Sequence, residues 1–127
     1  MYPDAAKSYI VAHHSPRLVY VAGPFSAPDR FGVEANIAAA VRDGIAIAKL
    51  GAFPVVPHAN TAAPEYEMVQ PYQFWINGTL ELLRRCDAIY LLPNWHDSKG
   101  AKAEKAEAKR LGKPIFYTLA EVAGWLS

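Results

Sequence analysis

Apolar and polar positions along the chain change period several times, and each change marks an element. Residues 17–22 (Arg-Leu-Val-Tyr-Val-Ala) are a β-rich apolar run ended by Gly23-Pro24, the pattern of a buried strand with a hard stop. Residues 26–30, with prolines at 24 and 28, read as loop. From 33 to 50 the period becomes helical. Ile37, Val41, Ile45 and Ala48 recur at spacings of four, four and three, which places them on one helix face. Gly51 then supplies a C-terminal stop. Residues 52–56 predict a second strand, with Pro54 tolerable near a sheet edge, and 57–61 a loop. Residues 64–71 fit no single period. A helix is predicted over 74–85, with Ile76, Leu80 and Leu83 on one face. Residues 87–92 predict a third buried strand, ended by Pro93-Asn94, and 95–99 a polar loop. An Ala/Lys/Glu helix follows over 100–111, closed by Gly112 and Pro114. A short fourth strand at 115–117 leads to Thr118, a suitable cap for a last helix through 126.

This β-α alternation predicts an α/β fold: one doubly wound, flavodoxin- or Rossmann-like domain over 17–127, with a parallel sheet of four to five strands and helices on both faces. Residues 1–16 are polar and irregular and read as an N-terminal arm. Ligands of such sheets bind beyond the carboxyl ends of the strands, at the switch in strand order. The loops at 23–30, 57–61 and 93–100 are therefore the ones to inspect.

Composition narrows the function classes. The chain has 127 residues, 52% hydrophobic and 20% charged, enough for one domain with its own core and unlike a disordered segment. Thirteen basic against twelve acidic residues give +1, so no strong field steers it to a nucleic-acid polymer or a membrane. No apolar run approaches the roughly 20 residues of a membrane span. The first residues lack the basic start and apolar stretch of a secretory signal. The single cysteine, Cys86, excludes a disulfide framework within the chain; it is expected in the core, and a reducing, cytoplasmic setting is expected for the protein.

Several residues stand out chemically. With Ala101 at 0° on the helical wheel, Ala108 falls near about 340°, Glu104 about 300° and Leu111 about 280°. Glu104 thus lies inside the apolar stripe, whereas Lys102, Lys105 and Lys109 point to solvent. A carboxylate on a buried face is costly unless it is paired or working; an i,i+4 helix partner is the plainer reading. Before that helix stand Asp97-Ser98-Lys99-Gly100. Either Asp97 or Ser98 suits a plain N-cap, and the free N–H groups with the serine hydroxyl also suit a phosphate. Gly23-Pro24-Phe25-Ser26 fits either a simple turn or a close approach of ligand to backbone. Neither G-x-G-x-x-G nor G-x-x-x-x-G-K-[ST] is present, and Ser98 lacks a G-x-S-x-G context. The four histidines (13, 14, 58 and 96) have no metal-ligand spacing, so no metal is expected; His58 lies in a sheet-end loop and is a candidate ligand contact. Phe25, Trp75 and Trp95 suit either stacking on a base or core filling.

Three segments together resemble the nucleoside 2-deoxyribosyltransferase-like family, which includes deoxynucleoside 5′-monophosphate N-glycosidases. They are Val19-Tyr20-Val21-Ala22-Gly23-Pro24-Phe25, Leu82-Leu83-Arg84-Arg85-Cys86-Asp87-Ala88, and Ser98-x-Gly100-x-x-x-Glu104. The resemblance runs from 18 to 117. It implies that Glu104 is a nucleophile, that Asp97, Ser98 and Gly100 belong to the loop holding sugar or 5′-phosphate, and that Tyr20 and Gly23, Pro24, Phe25 and Ser26 lie beside them. It further implies cleavage of an N-glycosidic bond with release or exchange of the base, no cofactor, a small nucleoside or nucleotide as partner, and a homodimer or larger assembly. The family often has an aspartate eight residues ahead of the position of Asp87; here that residue is Thr79. The departure leaves open which group protonates the leaving base, and it motivates the alternative of a non-catalytic nucleotide-binding module. The 74–83 segment carries more apolar residues than one helix stripe needs, an independent pointer to a second copy.

Overall fold

The computed structural model describes residues 15–127; the arm expected at 1–16 lies almost wholly outside them. Strand β1 (Leu18–Ala22) leads to helix α1 (Arg30–Leu50), β2 (Phe53–Val55), a single helical turn α2 (Pro57–Asn60) and a 3₁₀ turn (Pro64–Met68). Helix α3 (Tyr72–Arg84), β3 (Ala88–Leu91), a second 3₁₀ turn (Trp95–Asp97), α4 (Lys99–Arg110), β4 (Ile115–Phe116) and α5 (Leu119–Leu126) complete it. The four strands are all parallel, in the order β2-β1-β3-β4. The doubly wound α/β architecture is as the alternation predicted.

The period-2 pattern of the two central strands explains the two cores. Val19 and Val21 of β1, with Ala88 and Tyr90 of β3, face α1 and α5, where they meet Ala40, Ile47 and Val122. Tyr20, Ala22, Ile89 and Leu91 point the other way, onto α3 and α4, and meet Leu83, Ala101 and Ala108. Cys86 lies buried in this second core, as expected. Pro54 sits on the edge strand β2, where its missing N–H leaves no central ladder broken.

Two expectations about α1 are corrected. The helix starts at Arg30 rather than 33, because Asp29 caps it by accepting from Gly32 N at 2.8 Å. Its buried positions are Ala40, Gly44 and Ile47, not the face of Val41, Ile45 and Ala48; Ile45 is 53% exposed. The small residues decide this. A Cβ on Gly44 would stand 2.8 Å from Val56 Cγ2, so the helix approaches the sheet where side chains are smallest. At the far end Gly51 (φ 106°) closes α1 in the left-handed region, as anticipated. Residues 57–60, expected as loop, form the turn α2 with Pro57 at its start. Thr118 caps α5 through a full capping box with Glu121.

Candidate functional site

Chain order reverses between β1 and β3, so a crevice opens where the loops after those strands diverge. At its floor lies Tyr20, 1% exposed, on the face of β1 that meets α3 and α4. Its hydroxyl donates to Glu104 Oε2 on α4. Thr79 on α3 faces the same pair, with its own hydroxyl donating to Ile76 O at 3.0 Å. Burial pushes the Glu104 carboxyl up to about 7, against the pull of the hydrogen bond from Tyr20. Burial, then the neighbouring carboxylate, raises the Tyr20 phenol as well. The proton of the pair accordingly stays on Tyr20, which acts as donor to a Glu104 poised between its two forms near neutral pH.

In a parallel sheet each returning helix starts at the carboxyl edge of the strands. Gly100 therefore stands one turn above Glu104, and Trp75 one turn above Thr79, each by about 6 Å. The α4 side ends in unpaired helix N–H groups with Ser98; the α3 side ends in aromatic rings. Between them is a cleft of about 740 Å³, within the usual span of small-molecule sites. Tyr66 of the 3₁₀ turn meets Trp75 edge-on, with centroids 5.7 Å apart at 85°, and Trp75 Nε1 donates to Gln70 O at 3.3 Å. The indole is thus held in one attitude.

All ten candidate residues from the sequence line this one cleft: Tyr20, Gly23, Pro24, Phe25, Ser26, His58, Asp97, Ser98, Gly100 and Glu104. Their local roles are more specific than their positions. Ser98 is the N-cap of α4, its Oγ accepting from Ala101 N at 3.0 Å. Gly23 is required by packing: a Cβ there would lie 2.4 Å from Leu92 Cδ1 and 2.9 Å from Leu92 Cβ. His58 is 6% exposed, and its Nε2–H donates to the carbonyls of Gly23 and Pro24 at 3.1 and 3.0 Å. Burial depresses its pKa, so the ring is neutral; its Nδ1 is buried with no hydrogen-bond partner. Asn36 Nδ2 donates to Phe25 O at 3.0 Å. His58 and Asn36 together fix the loop after β1.

Other residues depart from expectation. Lys105 is not free in solvent; it lies over the ring of Trp95, 4.4 Å from the centroid, a cation–π contact. That ring is outside the cleft and takes no part in it. Glu107 is tied to Arg84 and Arg110 at 2.7 and 2.8 Å, a surface ion network. The sequence did not single out Tyr66, Glu67, Gln70 and Tyr72, which line the cleft mouth. Residues 63–74 are all exposed, so no burial period exists there to reveal an element; two tyrosines in a polar, aperiodic stretch were the available signal.

The family model described as a domain of unknown function (DUF4406) matches residues 17–117. The chain belongs to this family. The match takes in every strand, the cleft and its floor, and stops short of α5. No curated protein matches this DUF4406 chain. Among solved structures, it is similar to a 2-deoxyribosyltransferase from the psychrotolerant bacterium Bacillus psychrosaccharolyticus, described as a biocatalyst for synthesis of antiviral and antitumoral nucleosides. The TM-score is 0.56 at 24% identity, over 77% of this chain and 69% of the other. That likeness establishes the shared fold, and the sequence resemblance to the deoxyribosyltransferase-like family holds at that level.

Proposed function

We propose that this DUF4406 protein cleaves the N-glycosidic bond of a nucleoside or nucleoside 5′-monophosphate, with Glu104 as nucleophile. The observation that carries this reading is the buried Glu104 carboxyl, held by the Tyr20 hydroxyl at the floor of a switch-point cleft. Such a bond breaks through an oxocarbenium-like state. A carboxylate beneath C1′ stabilises that cation and then bonds to it, and a base or water completes the turnover. The α4 N-terminus one turn above Glu104 offers N–H groups and the positive end of a dipole to a 5′-phosphate. This favours a monophosphate as substrate and hydrolysis as outcome. The named activity of the 2-deoxyribosyltransferase of like fold supports the same chemistry.

The test is incubation with nucleosides and their 5′-monophosphates, with and without an acceptor base, followed by chromatography for free or exchanged base. Glu104→Gln should lose about 10²-fold or more in rate; turnover near wild type would overturn the assignment. A second reading rests on Thr79, which places a hydroxyl rather than a second carboxyl group opposite Glu104. On that reading the domain binds a nucleotide without cleaving it. Calorimetric titration showing tight binding with no base released over long incubation would establish it.

Self-association belongs to the same proposal. Met68 and Tyr72 are 87% and 68% exposed beside the cleft mouth, and Phe74 is 50% exposed. A second copy covering this strip would close the cleft from outside. The structure turns Trp75 toward the cleft, so Phe74→Glu is the cleaner disruption. Light scattering at micromolar concentration should show a dimer that Phe74→Glu dissociates; a 13.9 kDa monomer that still releases base would refute it. The buried lone thiol of Cys86 accords with the cytoplasm as its setting.

A further inference from the structure

N-glycosidic cleavage needs a proton for the departing base as well as a nucleophile for the sugar. The groups at the floor of the cleft have already committed theirs. The Tyr20 proton goes to Glu104, the Thr79 proton to Ile76 O, and the His58 Nε2 proton to two backbone carbonyls. Of the cleft's other carboxyl groups, Asp97 lies on the α4 side, beside the helix end suited to a phosphate. Glu67 also lines the cleft, in the 3₁₀ turn and next in sequence to Tyr66, whose ring meets Trp75, on the α3 side, edge-on. A base reaching up from a sugar at Glu104 has two walls to choose from, and the aromatic one is chemically its own.

We infer that Glu67 reads the edge of the base stacked against Trp75 and delivers the proton on which that base departs. This rests on the proposed glycosidic activity and names the residue that Thr79 leaves unsupplied. The step balances. The C1′–N bond breaks, its electron pair stays on the base nitrogen, and a ring nitrogen of the base takes the Glu67 proton. Glu104 Oε bonds to C1′. Water then attacks C1′, Glu104 leaves as carboxylate, and the proton of that water returns to Glu67. Tyr66 and Tyr72 also line the mouth, but a phenol holds its proton about 10⁶-fold more tightly than a carboxyl group and is the poorer acid.

The experiment compares wild type with Glu67→Gln on two substrates. One is whichever ordinary deoxynucleoside 5′-monophosphate the wild type cleaves fastest. The other is 7-methyl-2′-deoxyguanosine 5′-monophosphate, whose cationic base departs neutral without taking a proton. Glu67 is exposed and the amide keeps its size, so the fold is not at risk; an unchanged Tm checks this. The variant should lose about 10²-fold on the ordinary substrate and less than about 3-fold on the methylated one. Equal losses on both, or no loss on either, would overturn the role of Glu67 while leaving the activity standing. If the wild type releases base from neither substrate, the glycosidic reading itself falls, and the role of Glu67 with it.

Discussion

Removing the Tyr20 hydroxyl while keeping its ring isolates what that hydroxyl does for Glu104. Tyr20→Phe leaves the packing of β1 on α3 and α4 intact and deletes the donor to Glu104 Oε2. A hydrogen bond to a charged acceptor contributes about 1.5–3 kcal/mol. At 1.36 kcal/mol per tenfold change in the proton equilibrium, the carboxyl should rise by roughly 1–2 pH units from its place at about 7. The sign follows from the acid: the proposed nucleophile Glu104 attacks as carboxylate, so on the 7-methyl substrate, whose base departs without a proton, the rate rises with pH through its pKa. In wild type about half the molecules are ionised at pH 7; in the variant roughly 1–10% are. The rate at pH 7 should drop about 5–50-fold and recover most of that loss two units higher. The assay is base release measured between roughly pH 5 and pH 10, with the ascending midpoint read for each protein. An unshifted midpoint, or a wild-type rate flat through neutrality, would refute both the hydrogen bond and the ionised nucleophile.

Three further outcomes follow from the same structure. Glu104 lies at about 7 in the folded chain against an ordinary 4.5, so folding favours its protonated form; that stability is full below pH 4.5 and is lost as pH rises to 7. The loss approaches about 3 kcal/mol, and Glu104→Gln should abolish it. The Tm advantage of the variant should therefore grow between roughly pH 5 and pH 8, and a constant difference would contradict it. Gly23→Ala drives a rigid Cβ into Leu92 and should cost about 1–3 kcal/mol in urea unfolding; a neutral result would mean that β1 and β3 yield easily there. His58→Ala leaves the Gly23 and Pro24 carbonyls without their donor, and should destabilise by about 1–3 kcal/mol and raise KM more than it lowers kcat. The opposite split would give His58 a direct part in the chemistry.

Period and punctuation made the fold readable. Short strands ended by Gly23-Pro24 and Pro93-Asn94, and helices closed by Gly51 and Gly112, set the alternation, and the alternation sets the crevice. Glu104 was legible for a related reason: an acid inside a stripe of alanines has no place unless something holds it. The side on which α1 packs was not legible, because apolar period weighs large residues, whereas close approach to the sheet selects Ala40 and Gly44. The resemblance put Tyr20 in the site, but its hydrogen bond to Glu104 was not legible from the pattern. Tyr20 is separated from it by 84 positions, and nothing local in a buried strand marks one tyrosine as a donor rather than core. The aromatic mouth lay hidden for want of burial, since residues 63–74 are exposed throughout.

The Tyr20–Glu104 bond joins an inner strand of the sheet to a helix on its face, so any lifting of that helix carries a proton exchange with it. When α4 lifts from β1, Glu104 meets water and reverts toward its ordinary 4.5 from about 7. At neutral pH each such opening releases about half a proton. Rising pH therefore weakens the docking of α4 on β1, whereas α1 and α5 are anchored on the other face of the sheet. The helix that carries the proposed nucleophile and the proposed phosphate site is thus the one whose docking responds to the medium. An anion bound at that N-terminus would pin it closed against rising pH.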